Sequence, residues 1–409
     1  VVVARSRAPR FCCRASSTEG RAEKSARARR RRGRDRGMSF GRSRGDSLAN
    51  PTTSETRARR PSGSVYVENS FDFGEKLGNG AFGVVYRGTS KADGSAVAIK
   101  VIPKDMASGN ADAGQFTMHM QQVRNEIAAL EKLSAEDSEC DCIIGFRGAF
   151  ETKEKLAIVM DLAHGELADL IAKGSTAVTE KDAQTIITRI LTGVAYIHEH
   201  DYVHRDLKFE NLLMMEKDNF ESIVLTDFGL ATKSNEAAPG ECGTPLYMSP
   251  EIWMRNSVAH GPKVDIWAVG IISFILLCGH HPIKAKSVEQ LKAKICVDRV
   301  ELEFTEGVSD PARDFVRRLL TADPISRPAA KDALAHPFIS GDSSSDLNDS
   351  VVDMMRAYAA EMRLKKGVNV VDAVARMKIL SAQSRASGED DSAPDGLLMS
   401  RIPGGVSAP

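Results

Sequence analysis

Near its middle the 409-residue chain reads His204-Arg205-Asp206-Leu207-Lys208-Phe209-Glu210-Asn211, and after an apolar run it continues Asp227-Phe228-Gly229. Phosphoryl transfer from ATP needs a carboxylate that accepts the hydroxyl proton, ligands for Mg²⁺, and positive charge near the transferred phosphate. Asp206 is the candidate carboxylate and Lys208 the candidate cation. Asn211 and Asp227 are the candidate Mg²⁺ ligands. The short apolar segments on either side predict strands that hold these side chains in place.

The order and spacing of these two motifs resemble the catalytic loop and the Asp-Phe-Gly motif of eukaryotic protein kinases. The resemblance implies an α+β fold of two lobes, a small β-rich amino-terminal lobe and a larger helical carboxy-terminal lobe. It also implies an enzyme that uses ATP and Mg²⁺ and transfers the γ-phosphate to proteins. Lys208, two residues after Asp206, resembles the serine/threonine-specific members rather than the tyrosine kinases.

A glycine-rich turn lies between two predicted strands in the segment from Leu77 to Val85. Glycines let backbone N–H groups approach phosphates without a Cβ in the way. A Rossmann turn shares this glycine spacing but opens a helix, whereas Val84-Val85-Tyr86 predicts a continuing strand. The alternation of Val97-Ala98-Ile99-Lys100 then predicts a strand that ends in a lysine, which is the kinase arrangement. The resemblance implies an ATP site formed by Leu77, Gly78, Gly80, Gly83, Val85, Ala98, Lys100, Met160 and Leu213.

Lys100 requires a carboxylate partner if it is to bind the α- and β-phosphates, and Glu126 is the candidate. Apolar residues at helical spacing between Val123 and Leu133 place Glu126 on a predicted helix. This helix resembles the kinase helix whose glutamate pairs with the lysine. The separation of 26 residues between Lys100 and Glu126 is long for the family. Residues 105–118 are therefore predicted to be an insertion, and Glu131 remains an alternative partner.

Two further strands are predicted, from Cys142 to Phe150 and from Lys155 to Met160. The segment after them resembles the linker between the two kinase lobes, and Met160 is expected to bound the adenine pocket. The predicted boundaries are 71–340 for the domain, 71–160 for its amino-terminal lobe and 164–340 for its carboxy-terminal lobe.

Two tripeptides after the Asp-Phe-Gly motif resemble the kinase activation segment and its end: Gly243-Thr244-Pro245 and Ser249-Pro250-Glu251. The resemblance implies that Thr244 contacts Asp206 and that Glu251 pairs with Arg327. Asp265 lies in a segment that resembles the central helix of the large lobe, and it is expected to hold the backbone of the catalytic loop.

Two kinase subgroups share features with the chain. The run from Phe274 to Pro282 and the motif His336-Pro337-Phe338 resemble the calmodulin-dependent kinase group. The segments Ile143 to Phe150 and Leu167 to Leu170 resemble mitogen-activated protein kinase kinases instead. The larger lobe favours the calmodulin-dependent group, and the second group remains the alternative.

A pseudokinase scaffold and a kinase for small molecules are alternatives from other functional classes. Pseudokinases usually lack the lysine or one of the two aspartates, but Lys100, Asp206 and Asp227 are all present. The segment from Gly243 to Glu251 resembles a peptide-docking shelf, which favours protein substrates.

Two glutamates predict a preference among those substrates. Glu166 and Glu210 match acidic positions that, in basophilic members of the family, face an arginine three residues before the target. A carboxylate can bind a guanidinium in a bidentate manner. Serine or threonine substrates with an upstream arginine are therefore predicted. The alternative is that both glutamates are solvated or contact only ribose.

The amino-terminal arm differs in composition from the rest of the chain. Residues 1–64 carry 18 Lys and Arg against 5 Asp and Glu and contain few large apolar groups, which predicts disorder. The favoured interpretation is a solvated disordered tail or untranslated sequence. For the basic run from Arg27 to Arg36 the alternatives are a nuclear import signal or a nucleic-acid patch, and a transit peptide is a further alternative for the arm. The remainder carries 37 basic and 50 acidic residues. This acidic balance argues against nucleic-acid binding by the folded domain.

Cysteine usage and hydropathy bound the cellular setting. The seven cysteines are odd in number and scattered, which does not predict a disulfide framework. Cys140-Asp141-Cys142 lacks both the usual zinc spacing and a partner pair. The longest apolar run, Ile266 to Cys278, is too short to span a bilayer and predicts a buried core helix. A reduced protein of the cytoplasm or nucleus is expected.

The carboxy-terminal tail is predicted to comprise a Ser/Asp-rich linker at 341–350, a helical segment at 351–385 and a disordered end at 386–409. One helical stripe contains Val351, Met355, Tyr358 and Met362. Residues 351–385 carry seven basic and three acidic residues, a charge that suits calmodulin targets. In calmodulin-dependent kinases such segments block the substrate site until they are removed, so autoinhibition and calmodulin binding are predicted. The alternative is a helix that simply packs on the large lobe.

Overall fold

The computed structural model describes residues 66–80, 83–104, 113–134, 140–173, 178–234, 243–254, 261–296, 300–341 and 351–361. The predicted arm at 1–64 lies outside these residues. So do most of the linker, at 342–350, and the chain after residue 361, which includes Met362 and the rest of the predicted tail helices.

Five antiparallel strands form the sheet of the amino-terminal lobe. They are β1 (Phe71–Gly80), β2 (Gly83–Ser90), β3 (Ala96–Pro103), β4 (Phe146–Glu151) and β5 (Lys155–Asp161). Their order in the sheet is β1-β2-β3-β5-β4. Lys100 on β3 lies opposite Val85 on β2, and Ala98 lies opposite Met160 on β5. The register therefore brings four of the predicted nucleotide-site residues to neighbouring positions.

Strand β5 is buried on both faces, which explains its continuous apolar sequence. Leu156 and Ile158 point into the main core. Val159 points the other way and packs with Val67 and Phe71 in a second, smaller cluster. The residues just before β1 therefore cover the outer face of the sheet.

Helix α1 (Ala113–Leu133) packs on the inner face of the sheet. Its buried residues Val123, Leu130 and Leu133 recur at helical spacing, and Glu126 lies on the same face. The start of this helix corrects the prediction, because residues 113–118 belong to the helix rather than to a segment ahead of it. The other part of that predicted insertion, residues 105–112, lies outside the described residues.

The carboxy-terminal lobe is mainly helical. Its helices are α2 (Leu167–Lys173), α3 (Glu180–Glu199), α4 (Pro250–Trp253), α5 (Lys263–Cys278), α6 (Val288–Cys296), α7 (Asp310–Leu319), α8 (Ala330–Leu334), α9 (Pro337–Ser340) and α10 (351–361). Residues Val264 to Cys278 of α5 are all buried, as the apolar run predicts. Gly279 ends the helix in the left-handed conformation, with φ of 74°. No helix within the described ranges is long and apolar enough to cross a membrane.

Short strands flank the loops that contain the two central motifs. They are β6 (Gly165–Glu166), β7 (Tyr202–Val203), β8 (Leu212–Met214), β9 (Ile223–Leu225) and β10 (Thr232–Lys233). Strands β6, β8 and β9 form one small sheet, and β7 pairs with β10. Strand β7 enters the catalytic loop, and β9 ends two residues before Asp227. These strands therefore position the two ends of the central motifs.

The strand predicted from Cys142 begins later, at Phe146. The residues before it pair with a different partner, because Leu225 N–H donates to the Cys142 carbonyl at 2.8 Å and Ile144 N–H donates to the Leu225 carbonyl at 3.0 Å. A Cβ at Gly145 would collide with the Asp161 carboxylate, so the chain passes closely there. Residues 142–144 thus join the amino-terminal lobe to β9.

The described part of the tail is a helix that packs on the large lobe. Of the predicted stripe on α10, Val351 and Met355 are buried and Tyr358 is half-buried, and Ala359, which was not predicted, is buried as well. Gly279 lies so close to α10 that a Cβ there would collide with Met354 and with the helix backbone. Helix α10 therefore closes against the end of α5.

Candidate active site

The Lys100 ammonium and the Glu126 carboxylate form a buried ion pair, with Nζ 2.7 Å from Oε1 and 2.8 Å from Oε2. Both residues are almost inaccessible to solvent. Burial disfavours the charge on Lys100, but the carboxylates of Glu126 and Asp227 outweigh it and raise the pKa of Lys100. Glu131, the alternative partner, is exposed to solvent. The pair therefore holds a charged lysine at a fixed position in the cleft.

The Asp206 carboxylate accepts hydrogen bonds on both oxygens. Its Oδ1 accepts from the Thr244 N–H at 3.0 Å and from the Thr244 hydroxyl at 2.7 Å. Its Oδ2 accepts from Lys208 Nζ at 2.6 Å. Burial opposes the charge on Lys208, but the Asp206 carboxylate outweighs it and raises the pKa of Lys208. Thr244, the contact implied by the resemblance, therefore orients the carboxylate.

The backbone of the catalytic loop is held by the buried Asp265 carboxylate at the start of α5. It accepts from the His204 N–H at 2.9 Å and from the Arg205 N–H at 2.8 Å, and it also bonds His198 Nε2 at 2.8 Å. Arg205 has a φ of 69°, an uncommon conformation for a residue with a side chain. Three bonds to one buried carboxylate stabilise that strained turn.

Asp227 lies near both lysines of the site. Its φ is 63°, and its Oδ1 lies 3.9 Å from Lys100 Nζ. Burial would raise the pKa of Asp227, but the charges of Lys100 and Lys208 lower it below its ordinary value. Asn211 is linked to both loops, since its Nδ2 donates to the Asp206 carbonyl at 2.8 Å and its carbonyl accepts from the Thr226 N–H at 3.1 Å. The two predicted Mg²⁺ ligands are thus fixed beside Asp206.

The predicted nucleotide-site residues surround the cleft from both lobes. Leu77, Gly78 and Gly80 lie on β1; Gly83 and Val85 on β2; Ala98 and Lys100 on β3; Met160 on β5; and Leu213 on β8. A Cβ at Gly78 would meet no atom within 4 Å, so space is open above this residue. A Cβ at Gly83 would instead collide with the Val101 carbonyl, which makes that glycine a requirement of strand packing.

Comparison with known proteins assigns this architecture. The protein kinase domain family matches residues 71–339. Calcium/calmodulin-dependent protein kinase type 1 of Caenorhabditis elegans is 33% identical over 335 residues, which cover 80% of this chain and 91% of that protein. The chain is a serine/threonine protein kinase of the calmodulin-dependent kinase group.

Other relatives agree with this assignment. Calcium/calmodulin-dependent protein kinase cmkA of Emericella nidulans is 35% identical, over 81% of this kinase and 77% of that protein. Myosin light chain kinase A of Dictyostelium discoideum is also 35% identical, over 72% of this kinase and 96% of that protein. Among solved structures, the twitchin kinase region from C. elegans superposes with a TM-score of 0.63 at 26% identity. That match covers 74% of this kinase and about half, 51%, of the twitchin chain.

The end of the activation segment is fastened to the kinase core by a buried ion pair. Arg327 donates to both oxygens of Glu251, at 2.8 and 3.0 Å. The guanidinium also lies over the Trp267 ring at 5.2 Å from its centroid. A bidentate pair with no exposed arginine surface orients the segment that follows Thr244.

A second cluster lies on the other side of the catalytic loop of this kinase. It comprises Glu210, Tyr247 after the Gly-Thr-Pro motif, and Tyr358 of α10. The two phenols lie close enough to affect each other's pKa, and burial is the main cause that raises the pKa of both. Neither hydroxyl nor Glu210 Oε2 makes a hydrogen bond of normal geometry, although all three oxygens are buried. Glu166, the other predicted substrate-binding glutamate, lies on β6 opposite Leu213.

Sequence reasoning missed Tyr247 and the contact that Tyr358 makes with it. Tyr247 is only 5% exposed and lies three residues after Thr244, so its position within the docking segment was the available signal. Phe209 was missed as a tail contact as well. It precedes Glu210 and lines the same small cavity as Met355 and Tyr358.

Proposed function

We propose that this kinase binds ATP in the cleft between its lobes and transfers the γ-phosphate to serine or threonine of protein substrates. The observation that carries the proposal is the position of Asp206, whose two oxygens are oriented by Thr244 and Lys208. The ion pair of Lys100 with Glu126 supports it, since a charged lysine at the cleft suits the α- and β-phosphates.

The residues at the cleft fit both ATP and Mg²⁺. The open space at Gly78 leaves room for phosphates beside backbone N–H groups. Within the described residues, no group of three His, Cys, Asp or Glu side chains could hold a metal ion by itself. Mg²⁺ in nucleotide enzymes takes one or two carboxylates together with substrate phosphates, which the ionised Asp227 and the Asn211 amide suit. When bound, the ion would neutralise charge on the phosphates.

The protein residues then divide the remaining work. Asp206 accepts the proton of the substrate hydroxyl and orients it toward the γ-phosphate. Lys208, which already bonds Asp206 and Thr244, places a positive charge beside the transferred group. Lys100 holds the α- and β-phosphates. All these groups are positioned before substrate arrives, so little reorganisation is needed during the reaction.

Replacement of the base tests this mechanism. Asp206→Asn should bind ATP and keep its melting temperature but lower kcat by about 10²- to 10⁴-fold, the range for losing a general base. The control is Asp218→Asn, since Asp218 is exposed and asparagine tolerates its φ of 55°. Wild-type turnover in Asp206→Asn would remove Asp206 from this role, and transfer by neither wild type nor control would favour the pseudokinase alternative.

We infer further that the substrate carries an arginine three residues before the target. The carboxylate of Glu210 supports this inference, because its Oε2 is buried without a hydrogen bond of normal geometry and a guanidinium would satisfy it. Glu166, which precedes the catalytic loop in the sequence, is the second candidate contact. A profile of peptide substrates that is indifferent to upstream basic residues would overturn the inference.

We also propose that α10 restrains the kinase and that calmodulin relieves the restraint. Tyr358 lies close enough to Glu210 and Tyr247 for both to affect its pKa, which puts the tail near the carboxylate assigned here to the substrate arginine. The contact is apolar on one side, where Met355 and Tyr358 face Phe209 and α2. Two relatives are named calcium/calmodulin-dependent kinases, and the tail has the net positive charge of calmodulin targets.

The tail proposal is tested by comparing the full chain with a chain that ends at Ser340, each with and without calcium and calmodulin. The shortened chain should be active without calmodulin, whereas the full chain should require it. The family domain ends at residue 339, so the shortened chain keeps the whole domain. Equal activity under all four conditions, with unchanged melting temperatures, would contradict both the restraint and its relief.

A further inference from the structure

The docking segment of this kinase, residues 244–251, is held at both ends by contacts described above. Thr244 bonds Asp206 Oδ1 through its N–H and its hydroxyl, and Glu251 forms the buried ion pair at the other end. Between these ends the chain makes one turn of 3₁₀ helix, Pro245–Tyr247. Turns of this kind have poorer hydrogen-bond geometry than an α-helix. The two ends therefore constrain the middle of the segment least.

The carbonyl of Leu246, in the middle of this turn, is bonded from outside the segment. The two hydrogen bonds of the turn end on the carbonyls of Thr244 and Pro245, at 2.9 and 3.3 Å. Neither of these bonds uses the Leu246 carbonyl. His281 Nε2 lies 2.9 Å from this oxygen in a partly buried position. Because a carbonyl oxygen can only accept, the imidazole is the donor.

The His281 ring is fixed by the turn on which it lies. Its Nδ1 accepts from the Ile283 N–H at 3.1 Å and lies 3.0 Å from the Ile283 carbonyl. In a neutral imidazole one nitrogen accepts and the other donates, so an accepting Nδ1 leaves the proton on Nε2. In an imidazolium both nitrogens donate. Nε2 therefore donates to Leu246 in either state of the ring.

This turn is carried by the most deeply buried helix of the large lobe. Residues Val264 to Cys278 of α5 are all buried, and Gly279 ends the helix two residues before His281. At the start of the same helix, Asp265 holds the backbone of the catalytic loop. Helix α5 thus supports the catalytic base at one end and the docking segment at the other.

We propose that His281 is a positioning residue for the peptide substrate. Its Nε2–H fixes the Leu246 carbonyl and, with it, the surface that Pro245 and Leu246 present. Thr244 contacts the base, so the residues directly after it lie beside the reacting hydroxyl, where substrate residues that flank the target would pass. The inference rests on the proposed transfer to protein substrates, and it gives His281 no part in the chemistry itself.

Loss of this hydrogen bond should be felt in peptide binding. Without the donor the docking segment is less ordered, and ordering it opposes binding of the peptide. We expect the KM for the peptide to rise about three- to tenfold, the range for one neutral hydrogen bond. The value of kcat and the KM for ATP should stay within about twofold of wild type, which is the pattern of lost substrate binding. Asp206 keeps its bonds to Thr244 and Lys208 in such a variant.

Two substitutions at the same position separate the two ring nitrogens. In His281→Gln the amide nitrogen lies as many bonds from Cα as Nε2 does, so it can still donate to the Leu246 carbonyl. In His281→Asn the amide reaches only as far as Nδ1, so it can bond Ile283 but not Leu246. The peptide KM should therefore rise in His281→Asn and stay close to wild type in His281→Gln.

Steady-state kinetics of the full chain measure these values. The assay contains calcium and calmodulin, and its substrate is a serine peptide with arginine three residues upstream. His280→Asn is the matched control, because His280 contacts the His281 carbonyl at 3.1 Å and the edge of the Phe274 ring. It should leave both KM values unchanged.

Hydrogen exchange measures the order of the segment without any substrate. The amides of Tyr247 and Met248 close the 3₁₀ turn, so they report its local opening. They should exchange faster in His281→Asn than in wild type, and at the wild-type rate in His281→Gln. Mass spectrometry of a peptic peptide that spans residues 243–250 measures the rates.

The two measurements distinguish failure of this inference from failure of the proposed function. If neither wild type nor His280→Asn phosphorylates the peptide, the proposed function fails, and hydrogen exchange still decides the role of His281. Equal peptide KM values and equal exchange in wild type and His281→Asn would overturn the inference. The same increase in His281→Gln as in His281→Asn would overturn it too, because the ring and not its Nε2 donor would then be required.

Discussion

The two sides of the catalytic loop differ in how their carboxylates are satisfied. Asp206 accepts hydrogen bonds on both oxygens from Thr244 and Lys208. Glu210, four residues later, has a buried Oε2 without a hydrogen bond of normal geometry. Buried polar atoms are nearly always paired in native proteins, so an exception requires an explanation.

Under the proposed function, the contrast separates a group that reacts, Asp206, from a group that binds, Glu210. A carboxylate held by fixed donors is ready for chemistry, because no reorganisation is required when charge develops. A carboxylate with an unused oxygen retains its capacity to bind a cation, and a guanidinium matches it well. Tyr358 of α10 lies near this carboxylate, since burial and then the Glu210 charge raise the pKa of Tyr358. A buried oxygen without a partner carries an energetic cost, which under the proposed restraint would be removed when the tail is released.

The largest expected effect comes from removing a hydrogen-bond donor to Asp206. Lys208→Met keeps the length of the side chain but removes its charge from Asp206 Oδ2 and from the reacting phosphate. We expect kcat to fall by about 10²-fold with little change in the KM for ATP, as for the loss of one donor at a developing charge. Steady-state kinetics measure it. Lys217→Met is the control, because Lys217 is exposed and pairs only loosely with Asp218 at 3.9 Å; an equal loss in both variants would contradict the assignment.

A smaller effect is expected at Glu210, whose Oε2 has no hydrogen bond of normal geometry. Glu210→Gln should lower kcat/KM about 10- to 100-fold for a peptide with arginine three residues upstream, because hydrogen bonds to charged groups contribute about 1.5–3 kcal/mol. The same peptide with alanine at that position should be unaffected, so the double-mutant cycle isolates the contact. Glu221→Gln, at an exposed position on the same lobe, serves as the matched control. Equal losses with both peptides would assign Glu210 a structural role instead.

The surroundings of Asp206 were predicted well from the sequence, because most of the residues involved lie close together in the chain. Asp206, Lys208 and Asn211 lie within six residues, and Thr244 follows in a recognisable tripeptide. The ion pair of Lys100 with Glu126 was also predictable, since each residue lies on an element with clear periodicity. The start of β4 was predicted wrongly because residues 142–144 are apolar like a strand, yet their hydrogen bonds go to Leu225.

The contacts of α10 near Glu210 could not be predicted to the same extent. Periodicity identified the buried stripe of α10, with Val351, Met355 and Tyr358 on one face. It did not identify the surface that this face contacts, because hydrophobic burial is non-directional. The contact of Tyr358 with Tyr247 joins residues that are 111 positions apart.

The smallest expected effect concerns Tyr358 of α10, where two variants separate the role of the ring from that of the hydroxyl. Tyr358→Ala removes a ring that lies near Glu210, so α10 loses its contacts with Tyr247 and Phe209. We expect activity without calmodulin to rise roughly fivefold, since about 1 kcal/mol changes an equilibrium by that factor. Tyr358→Phe keeps the ring and removes only the imperfectly bonded hydroxyl.

That second variant should act in the opposite direction. A buried hydroxyl without a good partner costs about 1–3 kcal/mol, so phenylalanine should hold α10 at least as firmly as tyrosine. Activity without calmodulin should then be equal to or below that of wild type, while activity with calcium and calmodulin should be unchanged. Peptide phosphorylation by the full chain under both conditions measures the two ratios. If phenylalanine activates the kinase as alanine does, the hydroxyl is a restraining contact, and Glu210 is satisfied by the tail rather than merely covered by it.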